Sequence, residues 1–112
     1  MPKQSTTIVI LTTLADTNVL RQNINVDFIP DRVCVRNIMF EHDDGGDDPG
    51  FVKITTNMIS TLDSSIGVIA SIFGYANDVC FNVDKSISGT QEIRFSKAIS
   101  GVFAMTLEFI KD

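Results

Sequence analysis

The sequence is poor in the side chains that build most catalytic and metal sites: its 112 residues include one histidine, two cysteines, one tyrosine and no tryptophan. A single histidine, His42, excludes a zinc site made of several imidazoles, and the cysteines supply at most two thiolates. No Gly-x-Ser-x-Gly motif is present, so a Ser-His-Asp hydrolase has no support. Without tryptophan, the aromatic platforms of sugar-binding sites are scarce. We therefore predict a non-enzymatic protein with no cofactor.

Two further absences concern charge and hydropathy. The nine Lys and Arg residues are scattered singly in a chain of net charge −5, so no basic stripe could follow a phosphate backbone. No apolar run approaches the ~18–20 residues of a membrane span. Residues 1–6 also lack the charged-then-apolar layout of a signal peptide. We expect a protein made in the cytoplasm, with no direct nucleic-acid contact and no membrane span.

The length and composition predict one folded domain over residues 1–112. Globular domains commonly contain ~100–150 residues, so a second core would have too little material. With 44% hydrophobic and 21% charged residues, the chain has enough apolar side chains to fold. We expect residues 1–5 to form a flexible N-terminus.

Apolar and polar residues alternate along most of the chain, as in "NINVDF" at residues 23–28, which is the period of a half-buried strand. No helical periodicity persists beyond two turns; the best helix candidate, residues 57–65, could equally be a loop. Eight strands separated by Gly, Pro, Asn and Asp predict an all-β, antiparallel β-sandwich, most simply a single jelly roll. A seven-stranded immunoglobulin-like sandwich is the nearest alternative. The predicted strands are residues 6–13, 23–28, 33–40, 51–56, 68–73, 79–83, 92–95 and 102–110.

Both cysteines, Cys34 and Cys80, lie inside apolar strand-like runs. We interpret them as buried free thiols in preference to a disulfide, because unpaired cysteines are ordinary core residues in a reducing compartment. Their separation in sequence leaves open whether they are close in space.

The most unusual stretch is "EHDDGGDDPG" at residues 41–50. We interpret it as the solvated tip of a hairpin, in which glycine supplies a positive φ and aspartate bonds its own backbone. The alternative is a weak Ca²⁺ site, although the acids do not follow the register of a helix-loop-helix calcium loop. A catalytic carboxylate pair is the least favoured interpretation. The candidate calcium ligands are Asp43, Asp44, Asp47 and Asp48.

Four segments carry a resemblance to a known family: "INVDFIPDRVCVRNIMF", "FVKITTNMI", "SIGVIASIF" and "DKSISGTQEIRF". Their strand content and Phe-Ile-Pro-Asp turn resemble, over about residues 22–110, the small single jelly-roll proteins in the capsids of large eukaryotic double-stranded DNA viruses. The resemblance implies a minor capsid, cement or vertex protein that binds neighbouring capsid subunits, often as an oligomer. It implies no particular site residues.

Two functional hypotheses follow. The first is a structural protein of a virus particle, located in the virion, which forms homo-oligomers or binds capsid subunits; residues 6–13 are the candidate for strand addition to a neighbouring sheet. In that setting Arg32 and Arg36 either lie on a solvated face or pair with acids, in this chain or in a partner. The second hypothesis is a β-sandwich module that binds a glycan or protein, with calcium in the 41–50 loop.

Overall fold

The computed structural model describes residues 3–43, 50–59, 65–69, 73–75, 78–83 and 85–112. Within these residues the secondary structure is all β, which confirms the predicted class, and no helix is long and apolar enough to cross a membrane. The strands are β1 (Gln4–Asn23), β2 (Arg32–His42), β3 (Val52–Thr56), β4 (Gly67–Ile69), β5 (Phe73–Tyr75), β6 (Val79–Asn82) and β7 (Thr90–Lys111).

The long C-terminal strand β7 is the centre of one antiparallel sheet. Along one edge it pairs with β1 from end to end. Along its other edge it pairs first with β2 and then, closer to its own N-terminus, with β3. The far edge of β2 carries β5 and β6, and the far edge of β3 carries β4. The strands β4 and β5, which lie on the far sides of β3 and β2, are in contact, so the sheet is curled.

The eight-stranded jelly roll is not confirmed, since the described strands number seven and belong to one curled sheet. The predicted strands at 92–95 and 102–110 are parts of β7, because residues 96–101, which were expected to separate them and which end in Gly101, continue the strand. Of the terminal segment predicted to be flexible, Gln4 and Ser5 already pair with β7. After β1 ends, Ile24 and Val26 still donate amide hydrogen bonds to the carbonyls of Gly89 and Ile87.

Both long strands are distorted near their middle. A straight strand of 22 residues would span about 73 Å, whereas the longest dimension of the molecule is 51 Å. The pairing of β1 with β7 shifts register between Leu14 and Val19, where Asp16 has a φ of +48°. Opposite this shift, Gly101 has a φ of +149°, and a Cβ there would lie 2.1 Å from the carbonyl oxygen of Glu41. Only glycine fits at that position.

The core lies on the concave face of the sheet. Alternate residues of β7 point inward, as the period of two requires, and the rings of Phe95 and Phe103 meet edge to face at 5.2 Å. Residues 24, 26 and 28 alternate as predicted, with the apolar side chains the less exposed. The other strands contribute buried residues that include Ile10, Leu14, Val33, Val35, Ile38, Phe40, Val52 and Ile54.

The buried-thiol interpretation is wrong, because Cys34 and Cys80 form a disulfide. Antiparallel pairing of β2 with β6 sets the two residues directly opposite each other, with their Cα atoms 4.0 Å apart. Cys34 is fully buried, whereas Cys80 is exposed. This contact joins residues 46 positions apart and depends on the register of two strands, so local patterning does not contain it.

The hairpin interpretation of residues 41–50 is also wrong. In the described residues β2 and β3 do not pair with each other; both pair with the same edge of β7 and run in the same direction. The segment between them therefore joins two strands that do not pair with each other, and its residues 44–49 lie outside the described part of the chain. The helix candidate at 57–65 begins as a turn over residues 57–59, and residues 60–64 lie outside the described part of the chain.

Candidate assembly interface

The candidate calcium ligands are only partly described. Asp43 follows β2, is exposed, and donates its amide to the carbonyl oxygen of Ser100 at 3.2 Å. Asp44, Asp47 and Asp48 lie outside the described residues, so the Ca²⁺ site stays a prediction. His42 ends β2 with its ring 6.1 Å from that of Phe40. Among the described residues, no group of three or more His, Cys, Asp or Glu side chains is placed to hold a metal ion.

The two arginines singled out from the sequence form ion pairs within the chain. On the convex face, Arg36 contacts Glu108 through Nε and Nη2, at 3.0 and 2.6 Å from Oε1. Arg32 binds both carboxylate oxygens of Asp112, at 3.0 and 3.2 Å. These contacts connect β2 to β7 and to the residue that follows it. Of the possibilities left open by the sequence, pairing with nearby acids is the one observed.

Two carboxyl groups on this face have lowered pKa values. The hydrogen bond from Arg36 holds the pKa of Glu108 below its ordinary value of 4.5; burial opposes this shift, and the positive charge of Arg36 adds to it. The hydrogen bond from Arg94 lowers the pKa of Glu92 in the same way, and Arg21 on β1 contributes charge. Both glutamates are therefore ionised at neutral pH and form ion pairs between neighbouring strands at the surface.

Two adjoining hollows of about 300 Å³ each lie on the convex face near β3, and both are lined by Thr55 and Arg94. Arg94 contacts Glu92 at 2.9 Å, and the Glu92 amide donates to Oδ1 of Asn57 at 3.0 Å. These polar groups bind one another. Their arrangement does not point to a ligand.

A further feature of the surface is the outer edge of β1. In the described part of the chain, β1 pairs with β7 only, so its second edge faces away from the sheet over 20 residues. Val9 and Leu11 on this strand are 66% and 72% exposed. We use the name β1 edge for the side of the backbone of residues 5–13 that faces away from β7. An unpaired strand edge presents a row of amide and carbonyl groups that can accept another strand.

The register of the sheet shows which residues present these groups. The short Cα separation of Cys34 and Cys80 marks a pair whose backbone groups point away from each other. The amide and carbonyl of Cys34 therefore face Glu108, and those of Glu108 face Cys34. Thr7 lies opposite Glu108 on the other side of β7, so the amide and carbonyl of Thr7 point away from β7. By alternation, the outward groups of the β1 edge belong to Ser5, Thr7, Val9, Leu11 and Thr13.

The same five residues carry no charge and no proline. Natural sheets protect exposed edges with lysine, proline, bulges or very short strands. In β1, residues 4–15 are all uncharged, and the register shift occurs only after Leu14. Regular pairing with β7 over residues 4–14 thus leaves an edge that is regular and, within the described residues, carries none of these protections.

An apolar row extends from this edge across the convex face. Leu11 lies opposite Ala104 on β7, which lies opposite Met39 on β2. Val102, two residues before Ala104 on β7, is 45% exposed, and Met39 is 57% exposed. Exposed apolar residues that are contiguous rather than scattered mark interaction surfaces. The row therefore belongs to the same candidate interface as the β1 edge.

Sequence patterning located part of this interface. Residues 6–13, predicted as the segment for strand addition, lie within β1 and include most of its edge residues. The extension of β1 to Asn23 was missed, because "ADTN" at residues 15–18 resembles a turn and is instead a register shift within a strand. The row formed by Leu11, Ala104 and Met39 was also missed, since it depends on the order of three strands.

Comparisons with known proteins give little support for any family. No family model matches the chain, and no curated protein matches it. Among solved structures it is similar to a chain from a work described as "Bacillus endospore appendages form a novel family of disulfide-linked pili". The two are 15% identical, the alignment covers 98% of this chain and 89% of that chain, and the TM-score is 0.43. A similarity at this level assigns no function.

Proposed function

We propose that this chain is a non-enzymatic structural subunit that assembles with further copies of itself through the β1 edge. The observation that carries the proposal is the twenty-residue strand β1, which pairs on one side only in the described chain and is uncharged from residue 4 to residue 15. Such an edge exposes backbone hydrogen-bonding groups that a neighbouring strand satisfies in register.

The exposed side chains of β1 favour association over a free edge. Val9 and Leu11 would lose water-accessible apolar surface on pairing, at roughly 25 cal/mol per Å² buried. Their apolar surface continues through Ala104 to Met39, so a neighbouring chain could cover more than the strand itself. Hydrogen bonding would set the register and apolar burial would supply much of the affinity.

We also infer that the curled sheet closes into the two layers of a jelly-roll-like sandwich. The pairing of β7 with β2 along one half and β3 along the other supports this, as does the contact between β4 and β5. Distances between spin labels placed on β2 and on β3 would test it. Two stacked layers about 10 Å apart would agree with the inference, and one open sheet would contradict it.

The role as a structural protein of a virus particle, and the location in a virion, stay predictions that rest on the sequence resemblance alone. Copurification of the protein with particles would test both. The ligand-binding alternative likewise stays a prediction. It requires the melting temperature to rise with Ca²⁺ and to fall with a chelator.

Sedimentation across a concentration series tests self-assembly, with two double variants that differ only in position. Val9→Lys/Leu11→Lys places two charges on the β1 edge, while Ile29→Lys/Phe51→Lys places the same two charges on exposed apolar residues outside both β1 and the apolar row. We expect the wild type to form oligomers. The edge variant should raise the dissociation constant at least about a hundredfold, because like charges brought together cost several kcal/mol.

The control variant should assemble within about tenfold of the wild type. A wild type that stays monomeric up to millimolar concentration would contradict the proposed function. Assembly lost equally in both variants, or only in the control, would show that a surface other than the β1 edge makes the contact.

A further inference from the structure

We infer that two copies of this chain pair their β1 strands antiparallel about a two-fold axis at Val9. The inference rests on the proposed function, and it specifies the partner, the direction and the register of the contact. An antiparallel pair of identical strands is closed, because each chain offers the same residues to the other. The product would be a dimer whose two sheets join into one.

The charges at the ends of the edge favour the antiparallel direction. Lys3 precedes the uncharged segment 4–15 and Asp16 follows it, and both residues are exposed. With Val9 at the axis, Gln4 lies opposite the partner's Leu14, so Lys3 and the partner's Asp16 lie at the same end of the contact. Parallel pairing would instead place each residue beside its own copy, so lysine would meet lysine. Opposite charges across paired strands stabilise and like charges destabilise.

The register follows from the length of the regular strand. Pairing between β1 and β7 is unbroken from Gln4 to Leu14, and Val9 is the middle residue of that segment. An axis at Val9 opposes Gln4 to the partner's Leu14 and leaves no outward group of the β1 edge without a partner. An axis at Ile10 would shift the pairing by two residues and run the edge into the register shift of the other chain.

The hydrogen bonding also fits. Residues that point their backbone groups outward must oppose one another, and an axis at Val9 pairs Thr7 with the partner's Leu11 and Ser5 with the partner's Thr13. Each such pair exchanges two hydrogen bonds, so the five pairs supply about ten, which is the number found in a typical interface. Val9 would meet its own copy on the convex face, where Leu11 begins the apolar row.

Spin labels at two positions test direction and register together. Because both native cysteines form one disulfide, Val9→Cys and Thr13→Cys each add a single reactive thiol. In the inferred dimer, the two Val9 positions lie about 5.5 Å apart. The two Thr13 positions lie eight residues apart along the strands, or about 27 Å. We expect strong dipolar broadening at position 9 and a distance near 27 Å at position 13.

Amide hydrogen exchange provides a check in the unmodified protein, where no label can disturb the contact. The outward amides of Thr7, Val9 and Leu11 should exchange at least about tenfold more slowly in concentrated than in dilute protein. The inward amides of Ile8 and Ile10, already bonded to β7, should not change. The outward and inward amides alternate on one strand, so each is a control for the other.

The other outcomes separate the inference from the proposed function. Short distances at both positions would indicate parallel pairing, and about 20 Å at position 13 would place the axis at Ile10; either result overturns the inference and keeps the proposed function. Oligomers with unchanged exchange at the outward amides would also overturn it. A protein that never assembles would overturn both.

Discussion

Two edges of the same sheet differ in how they are protected. At β6 the edge strand has four residues, and the disulfide from Cys80 to Cys34 ties it to β2. At β1 the edge strand has twenty residues, and in the described chain β7 is the one strand with which it pairs. Short strands make poor templates for another chain, whereas long regular ones make good templates. Of the two edges, β1 is the better template, as the proposed assembly requires.

Charge strengthens this contrast. The exposed Asp78 immediately precedes β6, so that short edge begins beside a carboxylate. The β1 edge has no charge within it, and its flanking charges have opposite signs, Lys3 before and Asp16 after. An approaching copy of β1 therefore meets an uncharged strand with complementary ends. The two edges differ in electrostatics as well as in length.

The largest expected effect comes from a substitution at Gly101, where β7 pairs with β1 on one side and with β2 on the other. A Cβ there would lie 2.1 Å from the carbonyl oxygen of Glu41, so Gly101→Ala must separate β2 from β7 and disturb the opposite pairing with Leu14. We expect the free energy of unfolding to fall by more than about 4 kcal/mol, the range reserved for severe steric or strain defects. Urea denaturation followed by circular dichroism measures it.

The control for this change is Gly89→Ala. Gly89 also has a positive φ, of +86°, but an added Cβ there has no atom within 4 Å. Only the backbone preference is lost, which costs about 1 kcal/mol. Equal losses in the two variants would show that the close approach of Glu41 to Gly101 does not limit stability.

Removing the disulfide should make the β6 edge resemble the β1 edge. Cys34→Ala/Cys80→Ala opens a loop closed across 46 residues, and we expect the free energy of unfolding to fall by about 2–4 kcal/mol. Amides of β6 should then exchange faster, because the covalent link between β6 and β2 is lost. Those of β1 should keep their protection. Hydrogen exchange and urea denaturation measure the two effects.

A reducing agent supplies the matched control. It should lower the stability of the wild type toward that of the double variant, and it should leave the double variant unchanged. Retained protection of β6 without the disulfide would contradict the idea that covalent linkage secures this edge. Loss of self-assembly in the double variant would indicate that β6, and not β1 alone, takes part in the contact.

The sequence predicted local features of this fold well. Alternation in residues 102–110 correctly indicated a half-buried strand, because a period of two is a property of neighbouring residues. Gly101 misled the prediction, since a glycine between two apolar runs usually marks a turn. Here it lies inside β7 because the backbone of Glu41 approaches too closely for any side chain. That approach comes from another strand and leaves no local pattern.

Long-range pairing accounts for the other differences. The placement of β2 and β3 end to end along β7, and the opposition of Cys34 to Cys80, both follow from the register of strands distant in sequence. The candidate interface shows the same division. Residues 6–13 could be identified as an exposed strand, but their position at an edge depends on which strands flank β1.

The smallest expected effect concerns the ion pair between Arg36 and Glu108, which lies on the convex face between the two edges. Arg36→Gln removes the hydrogen bonds and charge that lower the pKa of Glu108, so this pKa should rise toward 4.5. Arg94→Gln is the matched control, because it should raise the pKa of Glu92 and leave Glu108 unchanged. Carboxyl chemical shifts followed by NMR during an acid titration measure both values.

The sign of the stability change follows from the direction of the pKa shift. A carboxyl whose pKa is lower in the folded state stabilises the fold above its ordinary pKa and loses that stabilisation as the pH falls through the lowered value. Above pH 4.5, Arg36→Gln should therefore cost less than about 1 kcal/mol, as is usual for a partly exposed pair. The difference from the wild type should vanish at lower pH. A difference that persists there would show that Arg36 acts through packing, and a difference that appears only in assembled protein would place this pair within the contact made by β1.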